Sequence, residues 1–157
     1  VLPPPPQPAR AVELTAAGRR WRGWHIEVGV PHVVLPVDEL EALDLAQVGP
    51  PLRRHPELGP EGANVSFVSP GGAGEISLRS FERGVEGETL CCGSAVVAAA
   101  LVAMAQGAPR RLVLRPRSGD RLTVEALGDP GASPLRFIGA TRFVAELVPT
   151  TELLLEL

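Results

Sequence analysis

The chain has 157 residues, 45% of them hydrophobic and 21% charged, with a formal net charge of -3. This is enough sequence for one domain with a substantial core, in the composition range of soluble globular proteins. It lacks the basic excess of a nucleic-acid binder, a secretory leader, an apolar run long enough to span a membrane, and the cysteine count of a disulfide scaffold.

Taken in order, the chain opens with the proline-dense Pro3–Pro8, which reads as an extended polyproline linker or terminus over residues 1–10. Ala11–Leu14 and Arg19–Val28 read as strands about the turn Ala17-Gly18, with Trp21 and Trp24 as packing residues. Val33–Val37 is a β-branched run and a strand. His32 stands just before it, after a stiffening Pro31, and on residue type alone is a structural or surface histidine. Asp44-Leu45-Ala46-Gln47 has capping-box form and predicts a short amphipathic helix from Leu45 to Arg53. Arg53, Arg54 and His55 place positive charge at its negative end, as a solvated terminus and not an anion site.

Leu58–Ala63 is a loop leading into a strand at Val65–Val68, with Asn64 at the junction, a common turn position for that residue. The glycine-rich Pro70–Gly74 has no following Lys-Ser or Lys-Thr and runs into a strand, so it is not a phosphate loop. Glu75–Glu82 continues as that strand, and Glu82 and Arg83 at its end are, taken alone, a surface ion pair of small energetic weight. After the cysteines, Val96–Ala103 is apolar on every face, which requires a buried helix running to Met104. Arg111–Arg115, Arg121–Ala126 and Arg136–Leu147 read as strands, the first two joined through Ser118-Gly119-Asp120. The whole is an α+β arrangement of strands surrounding one apolar helix, a single domain over 11–149 followed by a tail or last strand at 150–157.

The chemistry concentrates where the apolar helix begins. Thr89, or alternatively Ser94, is the expected N-cap, which puts Cys92 in or near the first turn. A thiol there meets unpaired backbone N–H groups and the positive end of the helix dipole, both favouring its thiolate. Gly93 lets a ligand approach the backbone. Cys91 reads as a small core residue, and a Cys91–Cys92 disulfide is unfavourable for adjacent residues. The histidines at 25, 32 and 55 do not combine with the cysteines into metal-ligand spacing.

Phe81-Glu82-Arg83-Gly84-Val85-Glu86-Gly87-Glu88-Thr89-Leu90-Cys91-Cys92-Gly93-Ser94 resembles the signature of the diaminopimelate epimerase family around its second catalytic cysteine. Val30-Pro31-His32 and Glu61–Phe67 are similar to two further family motifs, in the family's order, and Ser118–Asp120 and Gly139-Ala140-Thr141 are consistent with its tail. The resemblance implies a mixed β-sheet curled into a barrel around one central apolar helix. It implies that Cys92 and His32 are catalytic. Asn64, Glu82, Arg83 and the backbone of Gly93 and Ser94 would then bind the substrate's amino and carboxylate groups, Arg83 by a two-pronged contact. Val30 stands where the family often has Asn, and Ala95 where it usually has Gly, so no role is carried to Val30.

The family's enzyme is a duplicated protein with one cysteine from each half, and this chain matches the second half only. Together with the absence of an initiator Met, this leads us to expect a fragment, a separately expressed domain or one part of a split protein, with the N-terminal domain absent. The implied activity is cofactor-independent epimerisation at one α-carbon of diaminopimelate, in the route to lysine and cell-wall precursors, with the isolated chain inactive. A cytoplasmic location is expected, and the expected partners are a small amino-acid substrate, the first-half domain and a second copy of the chain, with no nucleic acid and no membrane. The alternatives are a related isomerase, of the proline or hydroxyproline racemase or phenazine-pathway type, and a non-catalytic binding domain.

Overall fold

The protein is described here by a computed structural model, which covers residues 1–142, 144 and 146. Its strands are β1 (Arg10–Ala16), β2 (Arg19–Val28), β3 (Val30–Pro36), β4 (Asn64–Pro70), β5 (Ile76–Glu82), β6 (Gly87–Thr89), β7 (Arg111–Arg115), β8 (Leu122–Ala126) and β9 (Leu135–Ile138). Two α-helices are present among the described residues, α1 (Leu45–Arg53) and α2 (Gly93–Ala105). The strands form one mixed sheet in the order β1-β2-β3-β4-β5-β7-β8-β9, with β6 added on β5. The β3–β4 and β5–β7 pairs are parallel and the others antiparallel.

The expected barrel is not formed. Among the described residues the sheet is open, with β1 and β9 at its ends. The free edge of β9 is met instead by the N-terminal segment, where Leu2 and Leu135 exchange backbone hydrogen bonds of 2.8 and 2.9 Å. Nor is one helix the centre of everything, because the sheet is covered twice. Alternation along the strands shows this directly. Val33, Leu35, Val65, Phe67 and Phe81 pack with Leu45, Val48 and Leu52 of α1, while Ile26, Val34, Leu78, Leu114 and Val124 pack with α2. Successive residues of a strand point to opposite faces, so the run Val33-Val34-Leu35 is apolar throughout because both of its faces are buried.

Strand β3 starts three residues earlier than its β-branched core, which brings His32 inside the strand. The β1–β2 hairpin, α1 and the β7–β8 pair lie where the sequence places them. Strand β6 and two short 3-10 turns, Pro56–Leu58 and Gly72–Gly74, were not anticipated. Strand β9 begins at Leu135 and ends at Ile138, and Gly139–Arg142 leave the strand. Positions 143, 145 and 147 of the expected strand, and the whole expected tail at 150–157, lie outside the described residues.

Candidate active site

The candidate residues come from three neighbouring strands. His32 on β3 is paired with Asn64 on β4. The next residue pair, Val65 with Phe81, sets Asn64 level with Glu82 at the end of β5. Val65 and Phe81 face α1, so by the two-residue period His32, Asn64 and Glu82 face the other side, towards α2. Residues separated by dozens of positions thus form one lateral row. Ser66 and Ser80 form a second row behind it, with their hydroxyl oxygens 3.2 Å apart and both buried.

Two turns deliver this row. Gly62 has φ +65°, and a Cβ there would lie 2.1 Å from the Arg53 carbonyl oxygen, so only glycine allows the loop to pass the end of α1 and enter β4 at Asn64. The Ala63 N–H donates to that same carbonyl at 3.1 Å. Beyond β5, Gly84 (φ +88°) and Glu86 (φ +55°) reverse the chain into β6. Arg54 donates to the Glu86 carboxylate at 2.7 Å. The basic end of α1 therefore anchors this turn and is not simply solvated. The Asn64 Oδ1 accepts the Arg83 backbone N–H at 2.7 Å, so Asn64 is partly engaged in fixing the turn. The Arg83 guanidinium lies 3.3 Å from the exposed Glu61 carboxylate.

Cys92 itself occupies the N-cap position of α2, with extended backbone and no side-chain cap hydrogen bond. The expected cap Thr89 ends β6 instead, and its hydroxyl donates to the Glu82 carboxylate. Ser94 is not the cap either; it lies in the first turn, with its Oγ 3.4 Å from the Cys92 Sγ. Cys91 is exposed, not a core residue, while Cys92 is buried. The sequence expectation of a thiolate is reversed by that burial, which pushes the Cys92 thiol up. The Ser94 hydroxyl and the Ala95 N–H act in the opposite direction, and the negative charge of Glu82 adds to the rise.

His32 is fully buried, and neither ring nitrogen has a hydrogen-bond partner among the described residues. Burial lowers its pKa to about 4, helped by His25 and Arg83, so the imidazole is neutral at physiological pH. A cavity of about 540 Å³ borders Gly93 and Ser94 and is also lined by Phe137, Val97 and the prolines Pro3–Pro6. His32, Asn64, Glu82, Arg83 and Cys92 do not line it. The structure thus joins His32, Asn64 and Glu82 in one row, Thr89 with Glu82, and Cys92 with Ser94. Gly93 and Ser94 face the cavity. Among the described residues no group of three or more His, Cys, Asp or Glu is placed to hold a metal ion, and no helix is long and apolar enough to cross a membrane.

The open mixed sheet, the helix covering its polar row and the thiol at that helix's start fit an α+β domain of the epimerase-like type. The family model for diaminopimelate epimerase matches residues 24–130, and the chain belongs to the diaminopimelate epimerase family. It is 39% identical over 126 residues to the diaminopimelate epimerase of Aquifex aeolicus, covering 79% of this chain and 45% of that protein. It is 42% identical over 120 residues to that of Gemmatimonas aurantiaca, covering 76% and 43%. The chain therefore spans less than half the length of these relatives. Among solved structures it is similar to a hydroxyproline epimerase from Agrobacterium vitis, with a TM-score of 0.48 and 16% identity over 85% of this chain and 50% of that one, a likeness too loose to bear on function.

Proposed function

We propose that the chain is the second half of a cofactor-independent epimerase that inverts one α-carbon of diaminopimelate, and that it is inactive without the first half. The observation that carries this reading is that α2, with Cys92 at its uncapped start, packs on the sheet face opposite α1, the face that the register assigns to His32, Asn64 and Glu82. An α-proton next to a carboxylate is weakly acidic, so its removal needs a base on one face, an acid on the other, and hydrogen-bond donors aimed at the carbanion's charge. A thiolate takes the proton and becomes a thiol as an opposing thiol gives its proton to the same carbon from the other side and becomes a thiolate. Proton count is conserved and configuration is inverted.

Cys92 is held as a thiol by burial, so in the resting state it is the acid of the pair. The base would be a thiol of the first half. The N–H groups of Gly93 and Ser94 at the start of α2 suit the substrate carboxylate. The Arg83 guanidinium offers a second, two-pronged carboxylate contact, and Glu82 and Asn64 suit the ammonium. His32, neutral and with both ring nitrogens available, is the group proposed to accept and return a proton when substrate fills the row.

The test is solvent-deuterium uptake by diaminopimelate, with this chain alone and with the first-half domain supplied in trans or as a fusion. Exchange that requires both halves and is lost in Cys92→Ala is the expected result. Absence of exchange with both halves folded would overturn the assignment.

A further inference from the structure

Glu86 stands at φ +55°, a left-handed backbone that glycine takes freely and a glutamate takes at a cost. Its side chain shows what is held there. Arg53 places its Nε 2.8 Å from one carboxylate oxygen, and Arg54 donates to the other at 2.7 Å. Both arginines stand at the C-terminal end of α1, and the Arg53 side chain is largely buried. The oxygen facing Arg53 also accepts the Gly84 N–H at 3.3 Å, and the Glu86 N–H donates to the Glu82 carbonyl at 2.8 Å. Exposed ion pairs add little to stability, but a carboxylate gripped at both oxygens is held in one position.

The Gly84 nitrogen belongs to the peptide that follows Arg83, and the peptide that precedes Arg83 donates its N–H to Asn64 Oδ1 at 2.7 Å. Arg83 is thus pinned on both sides by side chains, one from β4 and one from its own turn. Arg53 also donates through Nη1 to the Glu61 carbonyl at 3.2 Å, which ties down the loop whose Glu61 carboxylate lies 3.3 Å from the Arg83 guanidinium. We propose that Glu86 is a positioning residue: clamped by Arg53 and Arg54, it fixes the turn at residues 83–86 and so aims the Arg83 guanidinium at a carboxylate of the substrate. The proposal rests on the reading of Arg83 as a carboxylate-binding group. A two-pronged contact needs both N–H vectors aimed at once, so slack in the turn costs affinity and leaves the proton-transfer step untouched.

The experiment uses the full chain, both in the two-half deuterium-exchange assay and alone. Glu86→Asn and Glu86→Gly each remove the clamp while suiting the left-handed backbone, and Arg83→Gln is the reference. In the paired assay Arg83→Gln should raise KM for diaminopimelate, and each Glu86 variant should raise it about tenfold with kcat within about twofold of the parent. A merely structural role would lower the folded fraction, and with it the apparent kcat, and leave KM unmoved. In the chain alone, amide hydrogen exchange followed by NMR should be about tenfold faster at Arg83 and Gly84 in both variants, with the amides in the middle of β5 unchanged. Parent values of KM in both Glu86 variants, with KM raised in Arg83→Gln, would overturn the role of Glu86 and leave Arg83 as a binding residue. A KM unmoved by Arg83→Gln would remove the reading of Arg83 and the proposal with it. If the paired halves exchange nothing, the assigned reaction fails and the amide measurement decides by itself: faster exchange at Arg83 and Gly84 upholds the clamp, and unchanged protection there overturns it.

Discussion

The two helices cover opposite faces of one sheet and begin in opposite ways. Asp44 caps α1 by accepting from the Ala46 and Gln47 N–H groups, at 3.0 and 3.3 Å. Cys92 caps α2 with no such bond and no acidic residue in the first turn. The face under α1 is apolar apart from the buried Arg79, whereas the face under α2 carries His32, Asn64, Ser66, Ser80 and Glu82. A closed helix end over a dry face is built for stability. An end with no side-chain oxygen as its cap, over a polar row, forgoes that stabilising contact. Even the helix bodies differ. Helix α1 contains Pro50 and Pro51, each lacking a helix donor, so tertiary packing of Leu45, Val48 and Leu52 must hold it.

If that division is right, the largest single effect is expected on the α1 face. Leu52→Ala removes a fully buried side chain from a helix that packing alone sustains, and should cost about 3 kcal/mol by urea unfolding. A cost under about 1 kcal/mol would mean that α1 is held by something other than its apolar face. The α2 face should show a pH dependence of similar size. His32 has an ordinary value of 6.5 when unfolded and about 4 when folded. As pH falls between these values the unfolded chain takes up a proton that the folded chain refuses, so stability should fall by up to about 3 kcal/mol over that window. His32→Gln should flatten it. The Glu88 carboxylate, held low by Arg79, loses its contribution only further down, below its ordinary value of 4.5. Retention of the full slope in His32→Gln would show that another titrating group causes it.

A smaller effect separates the two packings. Helix α2 is enclosed by strands and built from small residues, so it should resist addition more than removal. Ala98→Leu, at a fully buried position, should cost about 2 kcal/mol through overpacking.

Much of this contrast was legible in the sequence, for reasons that differ by region. The capping box at Asp44 and the all-apolar run after Cys92 are local signals, and both helices form where those signals place them. The row His32–Asn64–Glu82 is made by strand register, which no local pattern records; resemblance named its members, and the sheet explains why they meet. The barrel failed because closure depends on the pairing of distant edges, and Leu2 covers the β9 edge instead. Thr89 was misread as a cap because Ser and Thr before an apolar helix carry that signal whether or not the chain pauses in a strand first. The turn into the short β6, bracketed by Gly84 and Gly87, had a signature that could have suggested the hairpin. Cys91 was misassigned to the core on residue type, and its exposure follows from the extended approach to α2. The thiolate expectation weighed the helix dipole and left out burial, which dominates at Cys92.

The smallest effects test the comparison most directly, because they act on the two caps themselves. Asp44→Ala removes two donor–acceptor bonds at the start of α1 and should cost about 1 kcal/mol. Cys92→Ser puts a favoured capping oxygen where α2 has none, keeps the shape of the side chain, and should leave stability unchanged or raise it by about 0.5 kcal/mol. The same substitution replaces a thiol by a hydroxyl far too weak an acid to exchange an α-proton, so the proposed epimerisation in the two-half assay should be lost. A protein that gains stability while losing its reaction at one atom reveals a helix end left open for chemistry. Equal destabilisation by Asp44→Ala and Cys92→Ser, measured by urea unfolding, would instead show that both ends serve the fold alike.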